Sequence, residues 1–159
     1  MDSIKRTLLW HLPQKFANAY AAYLLKSEGQ GESLIVREYF RKRYKVDVGL
    51  YSYGGCFNPG FNTGGEVSLG RYCSIASDVH YFGANHPSSH VSTSAYFYNK
   101  SFGLAVNDVQ RDSLEIGNDV WIGYGTIIMS SCNKIGNGSI IGAGSIVTNA
   151  ATNFAINKE

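Results

Sequence analysis

Ile116-Gly117-Asn118-Asp119-Val120-Trp121-Ile122-Gly123 begins a run that repeats every six residues as far as Thr152. Ile116, Ile122, Ile128, Ile135, Ile141 and Val147 open successive blocks, and glycine follows at Gly117, Gly123, Gly136 and Gly142. The fifth residue of each block is small or β-branched: Val120, Thr126, Cys132, Ser139, Ser145 and Ala151. One block is a residue long, with Asn133-Lys134 where a single residue is expected. This period matches neither the 3.6-residue helical turn nor sustained strand alternation. It fits short strands joined by turns and stacked in coils. The opening aliphatic points into a narrow interior, and the fifth residue points inward beside it and must be small. Asn118-Asp119 and Asn137-Gly138 fall where the chain turns, because these residue types tolerate left-handed backbone. The spacing predicts a mainly β protein, a parallel β-helix.

Upstream, the six-residue phase reappears more weakly. Phe57, Thr63, Leu69 and Ile75 open blocks, with Phe61, Val67, Cys73 and Val79 at the fifth positions. Val48-Gly49 resembles a block start but is out of phase, so an irregular entry filled by Tyr51, Tyr53, Phe57 and Phe61 is expected. The two runs make about ten blocks, or roughly three to four coils at three blocks per coil. Between them, residues 81–115 break the pattern. This stretch holds Asn85-His86-Pro87, His90, Tyr96, Phe97, Tyr98, Phe102, Asp108, Arg111 and Asp112. So long a loop in a compact domain is functional or disordered, and its aromatic content argues against disorder. A projecting loop also suits a site built between subunits.

Two parts are expected: an N-terminal helical segment, 1–47, and a repeat domain, 48–159, with 81–115 as its inserted loop. Asp2 or Ser3 could cap a first short helix, and Pro13 ends it or opens a second at the first-turn position where proline is tolerated. Phe16, Tyr20 and Leu24 give a second helix its apolar stripe. Gly29-Gln30-Gly31 breaks the chain before a third helix, Glu32 to Tyr44, with Leu34, Ile35 and Phe40 buried and Arg37, Arg41, Lys42, Arg43 and Lys45 outside. These helices would cover the open end of the coils or pack on a neighbour, since bare strand edges invite association.

The 159 residues suit one domain, and a net charge of +2 gives no general attraction to nucleic acid. Cys56, Cys73 and Cys132 form no Cys-x-x-Cys pattern. Cys73 and Cys132 fall at inward positions and read as core thiols in a reducing compartment. The apolar run Thr7 to Trp10 is too short for a signal-peptide core, and no run is long enough for an integral membrane segment. A cytoplasmic setting is the expectation.

Asn85-His86-Pro87 in a loop, followed by Ile116 to Gly123 and then Ile141-Gly142-Ala143-Gly144-Ser145-Ile146-Val147-Thr148, resembles the hexapeptide-repeat acyltransferases. Within them the chain is most similar to the xenobiotic and polysaccharide O-acetyltransferase branch, related to type B chloramphenicol acetyltransferases. The resemblance covers roughly Val48 to Ile156. It implies a left-handed parallel β-helix, a homotrimer with active sites between subunits, and acetyl-CoA as donor with no metal. It also implies that His86 is catalytic, that Trp121 lies by the pantetheine arm, and that the Tyr124 backbone N–H faces the thioester oxygen. Gly123, Gly142, Ala143 and Thr148 match positions along the coenzyme. Two departures bear on the coenzyme's adenine end: Asn149-Ala150 stands where the family has Lys-Asp, and the chain stops at Glu159 before the family's Gly-Asn-Pro-Ala-Lys stretch.

The chemistry fits these residue types. A histidine titrates near neutrality and takes the acceptor's proton as attack begins. A fixed backbone N–H stabilises the oxyanion, an effect of roughly 3 kcal/mol. Asn85 is placed to orient His86 or the acceptor, and Tyr51 and Tyr53 are candidates for an acceptor pocket or for core filling. The acceptor expected first is a hydroxyl of a sugar or surface-polysaccharide precursor; an amino sugar or a small drug are alternatives. Two rival classes are a zinc hydratase using His80, His86 and His90, and a coil that serves only as a structural subunit.

Overall fold

The computed structural model describes residues 2–90, 92–102 and 109–157. Three helices come first: α1 (Asp2–His11), α2 (Gln14–Glu28) and α3 (Leu34–Tyr44). Twelve short strands follow: β1 (Val46–Val48), β2 (Tyr53–Gly54), β3 (Val67–Leu69), β4 (Ser74–Ile75), β5 (His80–Tyr81), β6 (Leu114–Ile116), β7 (Trp121–Ile122), β8 (Ile127–Ile128), β9 (Lys134–Ile135), β10 (Ile140–Ile141), β11 (Ile146–Val147) and β12 (Ile156–Asn157). They form three parallel sheets: sheet 1 in the order β1-β3-β6-β9, sheet 2 in the order β2-β4-β7-β10-β12, and sheet 3 in the order β5-β8-β11. The chain lays one strand on each sheet in rotation, so each circuit is one coil. Register follows the six-residue repeat: Leu69 pairs with Ile116 and Ile116 with Ile135, while Ile75 pairs with Ile122 and Ile122 with Ile141.

The block-opening aliphatics stack inside as expected, with Ile122, Ile128, Ile135 and Ile141 all at 0% exposure. The small fifth residues satisfy a polar need. Thr126 Oγ1 donates to the Gly142 carbonyl at 3.2 Å and Ser139 Oγ to the Thr152 carbonyl at 2.9 Å, each bond reaching into the next coil. Buried hydroxyls are thus paired, as a dry interior requires. The corner between sheets 1 and 2 is left-handed in successive coils, at Tyr51, Tyr72, Asp119, Gly138 and Phe154. For a non-glycine residue this costs about 1 kcal/mol. It is offset because Tyr72, Asp119 and Phe154 donate their N–H groups to the coil before, as Asp119 does to Arg71 O at 2.8 Å and Phe154 to Asn137 O at 2.7 Å, while Tyr51 donates to Gly31 O at 2.7 Å. Beside it runs an asparagine ladder. Asn118 Oδ1 accepts from Arg71 N, Asn137 Oδ1 from Asn118 N and Asn153 Oδ1 from Asn137 N, at 2.9, 2.7 and 2.9 Å. Asn118 and Asn137 therefore tie coils together as well as turn the chain.

Four sequence expectations are corrected here. Phe57 opens no strand: it lies in the turn Gly55–Phe57, whose extra residues put Val48, a block start that pairs with Leu69, out of phase with the later blocks. Thr63 is exposed, because Asn62 and not Thr63 stands in register with the inward Tyr81; the Thr63 N–H and hydroxyl donate to the Tyr81 carbonyl at 3.1 and 3.0 Å. Phe16 and Leu34 are 62% and 66% exposed, since α2 packs through the small residues Ala17 and Ala21 and α3 through Val36, Tyr39 and Phe40. Arg37 is 6% exposed and not part of the solvated face. Its guanidinium donates to the carbonyls of Gln30 (2.9 Å), Ser33 (3.3 Å), Gly49 (3.2 Å) and Ser52 (2.9 Å). Desolvation lowers its pKa from the usual guanidinium value. The helices cover the first coil, with Phe40 packed edge-on against Phe57 at 5.4 Å, so the end is capped as the edge argument demands.

Candidate active site

The inserted loop leaves sheet 3 after Tyr81 and returns to sheet 1 at Leu114. Its base is pinned. The Asp112 N–H donates to the Gly83 carbonyl at 2.7 Å, and the buried Tyr81 hydroxyl donates to the Asp112 carbonyl at 2.8 Å. Asn85 Nδ2 donates to Ser130 Oγ at 3.0 Å. Ser130 lies in the turn that the extra residue of its block lengthens, so the irregularity in the repeat is where the loop is fastened. Further out, Ser94 Oγ accepts from the Tyr96 N–H at 3.4 Å and opens the turn Ala95–Phe97. Tyr98 is the buried aromatic among the loop's described residues, at 7% exposure. Asp108 lies outside the described residues.

His86 is exposed, and its Nδ1 stands 2.8 Å from the Thr93 carbonyl. A carbonyl only accepts, so Nδ1 carries the proton and Nε2 keeps a lone pair. That is the form a general base needs. The Tyr98 hydroxyl also reaches Nδ1, and the two rings meet edge-to-face at 5.7 Å. His80 differs. It sits on β5, not in a turn. Its Nδ1 faces the Gly60 carbonyl at 3.0 Å and its Nε2 the Asp78 carboxylate at 2.9 Å. The Gly60 hydrogen bond, then Asp78, raises its pKa above the ordinary histidine value. Both ring nitrogens of His80 are thus turned to oxygen partners, the Gly60 carbonyl and the Asp78 carboxylate. Among the described residues no cluster of three or more His, Cys, Asp or Glu side chains is arranged to hold a metal ion. His90 touches Tyr98, edge-to-face at 6.0 Å.

The residues expected along the coenzyme sit elsewhere on the coils. Trp121 is 53% exposed on the outer face of sheet 2, in a row that the register sets as Tyr53, Ser74, Trp121, Ile140 and Ile156. Tyr53 and Trp121 are two rungs apart, about 10 Å at the usual strand spacing, and Ser74 Oγ between them donates to the Tyr53 hydroxyl at 2.9 Å. Tyr124 lies at the corner between sheets 2 and 3, and among the described residues its N–H has no partner. The same holds at the equivalent corner residues Ser77 and Ala143, so the free N–H belongs to the coil geometry. Gly123 is buried against the next coil: a Cβ there would lie 2.5 Å from the Ala143 nitrogen. The Gly142 carbonyl accepts from Ser145 Oγ at 2.8 Å. Thr148 is exposed and lines an open groove of about 630 Å³ along the last coil, together with Gly144 to Thr152 and Ala155. Tyr51 is stacked on Tyr72 at 5.1 Å at the corner between sheets 1 and 2.

Within one chain these groups fall into two sets. Asn85 and His86 follow a loop fastened at Ser130, in the corner between sheets 3 and 1. Trp121 and Tyr124 lie on sheet 2 and at its corner with sheet 3. The corner that holds Tyr124 and the corner that fastens the loop at Ser130 lie at opposite ends of the β8 strand of sheet 3. Sequence reasoning missed Thr93, Ser130 and the role of Tyr98. The seven-residue block was the available signal for Ser130; a backbone acceptor such as Thr93 leaves none.

No family profile matches the chain. The chain is 33% identical to a chloramphenicol acetyltransferase from Morganella morganii over 135 residues, covering 72% of this chain and 64% of that protein. It is 31% identical to one from Klebsiella aerogenes over the same shares. To a probable macrolide acetyltransferase from Lysinibacillus sphaericus it is 34% identical over 103 residues, 58% of this chain and 55% of that protein. The chain thus spans less than two thirds of the length of these curated relatives. Its fold is similar to that of a maltose O-acetyltransferase from Clostridium difficile, with a TM-score of 0.54 and 19% identity over 87% of this chain and 79% of that one. It is also similar to the N-acyltransferase AntD from Bacillus cereus, solved with dTDP and 3-hydroxybutyryl-CoA, with a TM-score of 0.55 and 22% identity over 70% of this chain and 56% of that one. The chain is thus similar in sequence to acetyltransferases named for chloramphenicol and macrolides, and similar in fold to the two acyltransferases of known structure.

Proposed function

We propose that the chain transfers an acetyl group from acetyl-CoA directly to an acceptor hydroxyl, with His86 as the general base. The observation that carries this reading is the pairing of His86 Nδ1 with the Thr93 carbonyl, which leaves Nε2 free on an exposed loop. In this reading Nε2 takes the acceptor's proton while the acceptor oxygen attacks the thioester carbon. A tetrahedral oxyanion forms, and the unpartnered N–H of Tyr124 stabilises it. The C–S bond then breaks, and the leaving thiolate recovers the proton from the imidazolium. No residue carries the acyl group.

The coils are read as a left-handed β-helix, with residues 48–159 as the acetyl-transfer unit and 1–47 as its cap. Trp121, Gly123, Tyr124, Gly142, Ala143 and Thr148 would line the coenzyme. The separation of His86 from Trp121 and Tyr124 by sheet 3 supports a homotrimer in which one chain's loop meets the neighbour's sheet 2, since a heterologous contact closes into a ring. Asn85, Tyr51 and Tyr53 would contact the acceptor, with Tyr53 in the same outward row as Trp121. The acceptor is read as a sugar or surface-polysaccharide precursor in the cytoplasm. A second reading, an antibiotic hydroxyl, is favoured by the relatives named for chloramphenicol and macrolides.

The test follows release of free CoA thiol from acetyl-CoA with a panel of saccharides, nucleotide sugars, chloramphenicol and a macrolide. Turnover with one class, lost in His86→Ala while acetyl-CoA still binds by calorimetry, is the expected result. Absence of acetyl-CoA binding at millimolar ligand would instead support a purely structural coil.

A further inference from the structure

We propose that Tyr98 is the positioning residue that fixes the tautomer of His86, acting together with the Thr93 carbonyl; the proposal rests on the reading of His86 as base. Tyr98 is buried at 7% exposure in a loop whose other described aromatics, Phe82, Tyr96, Phe97 and Phe102, are exposed. Burying this one side chain in an exposed loop calls for a reason, and its partners supply one. The ring lies edge-to-face against His86 at 87° and His90 at 78°, and the hydroxyl reaches His86 Nδ1. The turn Ala95–Phe97 sets it there, with the Tyr98 N–H donating to the Ala95 carbonyl at 3.3 Å.

Proton placement follows from the acceptors. The Thr93 carbonyl, 2.8 Å from Nδ1, can only accept. With the proton on Nδ1, the Tyr98 hydroxyl oxygen is its second acceptor, the N–H is shared between two oxygens, and the Tyr98 proton points away. With Nδ1 bare, Tyr98 would donate to it, but the Nδ1 lone pair would face the carbonyl lone pair and the ring proton would sit on Nε2. The base would then be blocked. Turning the ring over would place a carbon against both oxygens and lose both contacts. The Thr93 carbonyl, which cannot donate, thus selects the state in which Nε2 is free, and the Tyr98 hydroxyl adds a second acceptor to that state and to the imidazolium. The edge of the Tyr98 ring keeps the imidazole plane fixed between turnovers. Phenylalanine would keep that packing and lose the second acceptor.

The test uses the full chain with ¹⁵N-labelled histidine, at about pH 8 where imidazole is neutral, and compares wild type with Tyr98→Phe. The expected spectrum shows a protonated Nδ1 and a bare Nε2 for His86 in the wild type, assigned by its loss in His86→Ala. Tyr98→Phe mixes the tautomers, lowers kcat about three- to tenfold and leaves KM for acetyl-CoA unchanged. A structural role alone would move stability and not the ¹⁵N pattern. Tautomer ratio and kcat both unaltered in Tyr98→Phe, or a wild type with the proton on Nε2, overturns the assignment. Failure of the base reading is separately visible as turnover that survives in His86→Ala. If Tyr98→Phe unfolds, the wild-type spectrum still decides which nitrogen holds the proton.

Discussion

Replacing Arg37 by methionine tests how the helical cap is joined to the first coil. The guanidinium spans carbonyls on three segments: Gln30 and Ser33 before α3, Gly49 after β1, and Ser52 before β2. These acceptors differ in what they lose. Gln30 is exposed, so water replaces its donor, and the Gly49 carbonyl keeps the Ser52 N–H at 3.4 Å. Ser52 is 0% exposed, and among the described residues its carbonyl accepts from Arg37. Orphaning that buried carbonyl costs about 1–3 kcal/mol. The guanidinium also lies over the Phe57 ring at 5.3 Å, a contact of about 0.5–2 kcal/mol. Removing a buried charge returns part of this, because among the described residues no carboxylate pairs with Arg37. The orphaned carbonyl outweighs that relief, for a net loss of roughly 2–4 kcal/mol. In a chain of this size that lowers Tm by roughly 5–15 °C. Urea unfolding followed by circular dichroism at fixed protein concentration measures it. Arg37→Lys is expected to recover little, since an ammonium is a point donor and does not fork across three segments. A midpoint for Arg37→Met within about 0.5 kcal/mol of wild type would refute the reasoning and return Arg37 to the solvated face that its neighbours Arg41, Lys42 and Arg43 occupy.

Gly123→Ala is expected to destabilise by about 1–3 kcal/mol, because its Cβ would meet the Ala143 nitrogen at 2.5 Å, whereas Gly125→Ala meets nothing within 4 Å and costs only its left-handed φ of +70°, about 1 kcal/mol; equal thermal shifts in the two variants would show that coil stacking does not require Gly123. His80 has a folded-state pKa above its unfolded value, so its contribution to stability is fully present below about pH 6.5 and fades as pH rises through the raised value. The Tm difference between wild type and His80→Asn should therefore shrink on going from mildly acid to alkaline buffer, by an amount that screening at the half-exposed Asp78 reduces; a difference that grows with pH contradicts this. If the site is shared between chains, mixing an inactive His86→Ala chain with an inactive Tyr124→Pro chain and refolding them together restores about a quarter of the sites in a random ring, whereas sites built within one chain stay dead.

The coils were legible because their interior is narrow and periodic. Every sixth residue must be aliphatic and the fifth small, so packing writes itself into the sequence at Ile122, Thr126, Ile128 and Cys132. The helices were less legible. Phe16 and Leu34 are large apolar residues left in solvent, because Ala17 and Ala21 let α2 approach its neighbours closely. Hydrophobicity alone does not report how near two helices come. Arg37 was misread for a related reason: its charge is neutralised by carbonyl dipoles, and carbonyls carry no residue-type signature. The same holds at the candidate site. His86 stood out as a histidine in a pattern-breaking loop, while Thr93 acts through its backbone and Tyr98 was one aromatic among several.

The repeat also bears on the proposal that the site is shared between chains. A coil with a six-residue period places each corner above the same corner of the coil before, so a residue cannot drift from one edge to another. Trp121 and Tyr124 are therefore held at sheet 2 and its corner by the same register that pairs Ile75 with Ile122 and Ile122 with Ile141. The loop departs after Tyr81 from the far end of sheet 3, and Asn85 fastens it to Ser130 on that side. On the proposed reading, the same rigidity that would place an acyl donor holds it at a different corner from the one that fastens the histidine loop, and a neighbouring chain would bring the two together. The position of the break in the repeat, more than the identity of any residue in it, is what favours a shared site.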